Sequence, residues 1–121
     1  MSVQDEITKA IGAHGMWKAR LRTMIDTGVV EIPVEKIGAD NQCDFGKWLY
    51  GTTLDAKEKQ SDRYKTVIDL HAKFHKEAAK VASLVIAGKG TDAAKALENG
   101  TPFAAISTTL TTKMMDWKKE A

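Results

Sequence analysis

The chain has 121 residues and a formal net charge of +2, with 43% apolar and 28% charged residues. Those values suit a single soluble globular domain that buries a core without disulfide staples, and they exclude a disordered chain. Basic residues are interleaved with acids along the whole length, which argues against a nucleic-acid binder with its concentrated basic face.

No run approaches the roughly 18 apolar residues of a membrane span. The opening MSVQDEITKA has early acids and no apolar core, so it does not read as a secretory signal. A cytoplasmic setting is expected. Cys43 is the only cysteine and has no internal disulfide partner, so it reads as a buried filler, a ligand or a reactive thiol.

In the first segment Ile7, Ile11, His14, Trp17, Leu21, Met24 and Ile25 recur at steps of three and four, which predicts a helix. Ser2 or Asp5 is placed to cap it and Gly28 to close it. Residues 29–42, VVEIPVEKIGADNQ, hold Pro33 and Gly38 and show no sustained period. They read as a long connection, a type of segment that often carries function. Within it VVEIPV comes nearest to a strand, and Pro33 weakens that reading. CDFGKWLYG follows, as one or two helical turns ending at Gly51.

A third helix is predicted over 61–87, capped by Ser61, with Asp62 in the first turn where the helix dipole favours an acid. Its apolar stripe is Tyr64, Val67, Ile68, His71, Phe74, His75, Ala78, Val81, Ala82 and Val85. GKG at 88–90 ends it. Thr91 is read as the cap of the next helix, which breaks at Gly100–Pro102 and resumes with Phe103, Ile106, Leu110, Met114 and Trp117. Proline is compatible with a first helical turn because its missing N–H has no partner there. The expected fold class is all-α: an antiparallel four-helix bundle over 1–121, one domain, with a short extra helix carrying Cys43.

All three histidines fall on apolar stripes. His14 lies between Ile11 and Leu21, and His71 and His75 are one turn apart on one helix face. Two neutral imidazoles buried together each need partners, and protonating either in a core is costly. A metal ion meets both demands by accepting one nitrogen from each ring. Three histidine nitrogens and the Cys43 thiolate complete the four ligands of a tetrahedral zinc site. Di-iron centres in bundles require inward carboxylates, which these stripes lack. Copper accepts the same ligands but is kept scarce in cells, so zinc is the expected ion, one per chain. Asp40, Asp44 and Asp69 are candidates to accept a proton from a ligand imidazole. Trp17, Phe45 and Trp48 are read as packing around the site and limiting water, Phe74 as core, and the Met114–Trp117 end as helix packing or part of a dimer face.

Three blocks, HGMWK (His14, Trp17), CDFGKWLYG (Cys43, Phe45, Gly46, Trp48) and HAKFH (His71, His75), occur in this order, with 28 and then 27 residues between the ligands. In this they resemble the chemoreceptor zinc-binding (CZB) domain family. The resemblance implies a four-helix bundle, a homodimer, and one zinc ion held by His14, Cys43, His71 and His75. It also implies a regulatory role in bacterial cytoplasmic chemoreceptors or diguanylate cyclases, and therefore in chemotaxis or cyclic-di-GMP signalling. Some members are thought to sense zinc itself, others hypochlorous acid through the zinc-bound cysteine. The blocks span 14–75 and no output module accompanies them here. The chain reads as a stand-alone member that acts by binding a partner, or as part of a larger receptor.

The ligand types suggest how such a site would act. Metal coordination keeps sulfur deprotonated, and oxidation to sulfenic acid turns a good ligand into a poor one. Cys43 follows a long loop, so its loss could free residues 29–52 while the histidines stay in place. A closed four-ligand set leaves no open position, so catalysis is not expected. Two other readings stand beside the sensor: a structural zinc bundle serving dimerisation or docking, and a zinc enzyme with water as fourth ligand and Cys43 swung out.

Overall fold

The computed structural model describes residues 3–120, and over these it is all-α, with no strand. Helix α1 (Val3–Gly15) passes almost directly into α2 (Trp17–Thr27). The Met16 N–H donates to Gly12 O at 3.2 Å and the Arg20 N–H to Met16 O at 3.0 Å, so the two helices form one column jointed at Met16. Gly28 ends it in the left-handed region (φ 71°), where glycine carries no Cβ penalty, and its N–H bonds Met24 O. Asp5 lies within the first turn of α1 rather than capping it, and Ser2 lies outside the described residues.

The 29–42 connection holds a helix that its lack of period does not suggest, α3 (Val34–Gly38); α4 (Asp44–Tyr50) falls where CDFGKWLYG predicts one or two turns, and α5 (Ala56–Lys59) follows. VVEIPV forms no strand. Pro33 precedes α3 with φ −55°, and the turn that follows sends Ile37 into the core at 1% exposure. The sequence AKEK of α5 has no apolar period; its signal is the cap, Asp55 Oδ1 accepting the Glu58 N–H at 2.8 Å.

Helix α6 (Asp62–Ile86) matches its expected span closely, and Ser61 Oγ accepts the Tyr64 N–H at 3.3 Å as its cap. Its stripe is buried from Tyr64 to Val85, with Ile68 half-buried. The chain ends in α7 (Gly90–Ala96) and α8 (Pro102–Glu120). Thr91 does not cap α7, because that helix already begins at Gly90 and has no side-chain cap. The capping hydroxyl is instead Thr101, which accepts the Ala104 N–H at 3.4 Å while Pro102 takes the first position of α8.

Ring contacts give the packing direction. Phe103, early in α8, meets Phe74 with centroids 5.5 Å apart, and Trp117, late in α8, meets Tyr64 at 6.1 Å. Helix α8 therefore runs antiparallel to α6. Helix α1 lies along α8, α2 along α6 and α7, and α3 along α6. The columns α1–α2, α6 and α7–α8 share one core, over which the short helices of the 34–59 region pack. Met114 and Trp117 are fully buried in it, while Met115 faces outward. Among the described residues no helix is long and apolar enough to cross a membrane.

Candidate metal centre

Four side chains, from two columns of the fold and the short-helix region that packs over them, converge at one point. His14 comes from the last turn of α1, His71 and His75 from the middle of α6, and Cys43 from the position just before α4. Each offers one ligand atom, and these atoms all lie within 4.8 Å of one another. His14, His71 and His75 are buried, Cys43 half-buried. Placing Cys43 before α4 rather than inside it has a local cause. Its extended backbone (ψ 162°) makes it the N-cap, and its Sγ accepts the Gly46 N–H at 3.3 Å.

Gly46 is required by space. A Cβ there would stand 1.8 Å from the backbone oxygen of Asp40, far inside contact distance. The missing side chain lets the 40–42 loop lie directly on the first turn of α4, which fixes where Cys43 points.

Backbone carbonyls orient two of the three rings, while His71 Nδ1 is buried with no hydrogen-bond partner. His14 Nδ1 donates to Ala10 O at 2.7 Å and His75 Nδ1 to Ile37 O at 2.9 Å. A carbonyl only accepts, so both Nδ1 atoms carry the proton and both Nε2 lone pairs are free for the centre. These partners replace the expected aspartates. Asp69 pairs with Lys73 on the surface at 2.9 Å, Asp40 accepts from the Tyr50 hydroxyl, and neither Asp40, Asp44 nor Asp69 is hydrogen-bonded to a ligand imidazole. A sequence does not show this, because a backbone carbonyl accepts whatever side chain its residue bears: Ala10 lies one turn back on α1, and Ile37 is brought in by the packing of α3 on α6.

The donor set fits a metal ion. Zinc bonds of about 2.0–2.1 Å to nitrogen and about 2.3 Å to sulfur give tetrahedral edges of about 3.3 Å and about 3.6 Å. His75 Nε2 lies 3.1 Å from His71 Nε2, and Cys43 Sγ lies 3.3 Å and 3.6 Å from those two atoms. His14 Nε2 is buried with no hydrogen-bond partner, which is the state of a nitrogen kept for a cation. The electrostatics agree. Burial lowers the His14 pKa to about 4, partly countered by the Ala10 carbonyl and reinforced by His75; it lowers that of His71 to about 2, reinforced by His14 and His75, and lowers His75 as well. All three stay neutral and able to ligate. Burial pushes the Cys43 thiol up, only partly countered by the Gly46 N–H, so the thiolate calls for a nearby cation. His14, Cys43, His71 and His75 are thus positioned to coordinate one metal ion.

Aromatic rings surround the centre. Phe45 meets His14 and His71 edge-on, with centroids 5.8 Å and 5.2 Å away, and Trp17 meets His75 at 6.2 Å. Trp48 does not reach the histidines. It stacks on Phe45 at 5.6 Å and lies 5.6 Å from Trp117, which donates its Nε1 proton to Glu58 at 2.7 Å. This array links α4, the helix that Cys43 caps, to the far end of α8. The sequence places Trp117 in helix packing or a dimer face; its contact with Trp48 is not legible there because it joins positions far apart in the chain.

The family model described as chemoreceptor zinc-binding domain matches residues 14–82, more than half of the chain and all four converging residues. No curated protein and no solved structure matches it.

Proposed function

The chain belongs to the chemoreceptor zinc-binding domain family, and we propose that it binds one zinc ion through His14, Cys43, His71 and His75 and works as a cytoplasmic regulatory domain of bacterial signalling, of the chemotaxis or cyclic-di-GMP type. The observation that carries this reading is the convergence of one donor atom from each of the four residues within 4.8 Å. We take the domain to span 1–121, because α8 packs Phe103 on Phe74 and Trp117 on Trp48, behind the rings nearest the centre. It acts as a homodimer on a chemoreceptor or cyclase-type protein, and it regulates rather than catalyses, because four protein ligands leave no open coordination position.

When bound, zinc would supply the positive charge that holds the Cys43 sulfur as a thiolate. That sulfur is the sensing atom. Among the four ligands it alone is half-buried and sits outside the long helices. With hypochlorous acid, the net reaction forms an S–O bond and breaks the O–Cl bond. Chloride leaves with the bonding pair, and sulfur, oxidised by two electrons, becomes sulfenic acid. Cys43 in that form no longer ties the 40–46 turn to His71 and His75, while the two histidines remain fixed on α6.

The test is hydrogen exchange of residues 29–52 in the zinc-loaded chain, before and after one equivalent of hypochlorous acid. The proposal expects lost protection there and retained protection across α6. Identical protection, with Cys43 oxidised only at doses that unfold the chain, would favour the structural dimerisation or docking module.

A further inference from the structure

Cys43 is reached from outside by two clefts whose charge differs. On the α1 side, a cleft of about 370 Å³ carries Glu6 and Asp44 alongside Lys9 and Arg20, so its charge is mixed. On the α3 side, a cleft of about 360 Å³ leads to Cys43 and His75 past Trp17, Arg20, Lys36 and Lys47, and no carboxylate lines it. Lys36 and Lys47 are exposed and take part in no ion pair among the described residues. The Arg20 guanidinium is held 4.1 Å above the Trp17 ring, which fixes one cation on the cleft wall. Of the acids near Cys43, Asp44 lines the other cleft, and Asp40 accepts the Tyr50 hydroxyl while lying close enough for its charge to act on His75.

We propose that the α3-side cleft is an anion entrance to Cys43, and that Arg20, Lys36 and Lys47 set the class of reagent the thiolate meets: small anionic oxidants ahead of neutral ones of the same size. The proposal rests on Cys43 being the reactive residue. A concave site lined by one sign of charge focuses the field and raises the local concentration of counter-ions, increasing encounter rates by about tenfold or more. Its reach is short, since the Debye length is about 8 Å at physiological ionic strength, so cations bordering the sulfur count and distant ones do not. The same three cations face the product side. When sulfur takes oxygen from an anionic oxidant X–O⁻, the O–X bond breaks, X leaves with the electron pair as an anion into the basic cleft, and the sulfur-bound oxygen takes its proton from water. A neutral oxidant, whether hypochlorous acid or a peroxide, gains nothing on approach.

Iodoacetate and iodoacetamide test this on the full zinc-loaded chain. Both form the same S–C bond and release iodide, they differ in charge, and Cys43 is the only cysteine they can label. The ratio of their rates, divided by the ratio in the denatured chain, is expected to be about three- to tenfold above one at low ionic strength. It should fall toward one in 0.5 M salt. The double variant K36E/K47E should lower it at least threefold with unchanged helicity, the neutral K36Q/K47Q should lower it less, and K95E on α7 should leave it alone. A normalised ratio of one that neither salt nor these lysines change overturns the entrance while leaving oxidant sensing intact. A Cys43 inert to both reagents and to hypochlorous acid overturns both.

Discussion

Replacing Gly46 with alanine adds one methyl group and tests how the cysteine is aimed. The new Cβ would lie 1.8 Å from Asp40 O, 2.8 Å from its carbonyl carbon and 3.0 Å from Asn41 Cα. An ordinary carbon–oxygen contact is about 3.5 Å, so the loop or the first turn of α4 must retreat by well over 1 Å. All three near atoms are backbone, so no rotamer change relieves the clash. Overpacking of this kind costs about 1–3 kcal/mol. If the loop stays in place, the strain appears in the fold, and the melting temperature of the metal-free chain drops by about 5–10 °C. If the loop detaches, Cys43 loses the Gly46 N–H and its aim at His71 and His75. A loss of about 2 kcal/mol then appears as roughly 30-fold weaker zinc binding. The assay is a thermal melt of the metal-free chain, paired with zinc competition against a chromophoric chelator. A Gly46→Ala protein that keeps both its melting temperature and its zinc affinity would refute the close approach and the role assigned to the loop.

Three further outcomes follow from the same structure. His71→Ala removes a fully buried ligand and should take zinc content after dialysis from one per chain to near zero; undiminished zinc would remove His71 from the centre. In the metal-free protein, the His14 and His71 pKa values lie at about 4 and about 2, below the ordinary 6.5. The unfolded chain therefore binds more protons, and stability falls as pH drops below about 6.5. Between pH 7 and pH 5 each of the two contributes a loss of about 2 kcal/mol, read from urea midpoints, and a flat profile would contradict their burial as neutral rings. Trp117→Phe deletes the donor to Glu58 and should cost about 1–2 kcal/mol in denaturant unfolding, with Trp48 fluorescence altered through their shared contact; unchanged stability and spectrum would show that the ring pair is incidental.

Much of this was legible in the sequence, because it depends on period and residue type. The stripe of α6, its Ser61 cap and the left-handed Gly28 follow from local rules, and the one-turn spacing of His71 and His75 forces them onto one face. The convergence of His14 and Cys43 on that face depends on packing between columns, and its clue was economy: every histidine and the single cysteine, all on or beside apolar segments. What stayed hidden carries no side-chain signature. The Ala10 carbonyl, one turn back on α1, and the Ile37 carbonyl, from another helix, leave no trace in side-chain identity. The approach of Asp40 to Gly46 looks from the sequence like an ordinary helix glycine. Helix α3 reads as loop in the sequence because five residues between Pro33 and Ala39 are too few to display a period.

The most direct test of the four-ligand centre is X-ray absorption at the zinc edge of the loaded chain, with Cys43→Ser alongside. The account predicts three nitrogen neighbours at about 2.0–2.1 Å and one sulfur at about 2.3 Å, with the sulfur shell absent in Cys43→Ser. A wild-type spectrum fitted by nitrogen and oxygen alone, with no sulfur neighbour, would contradict it.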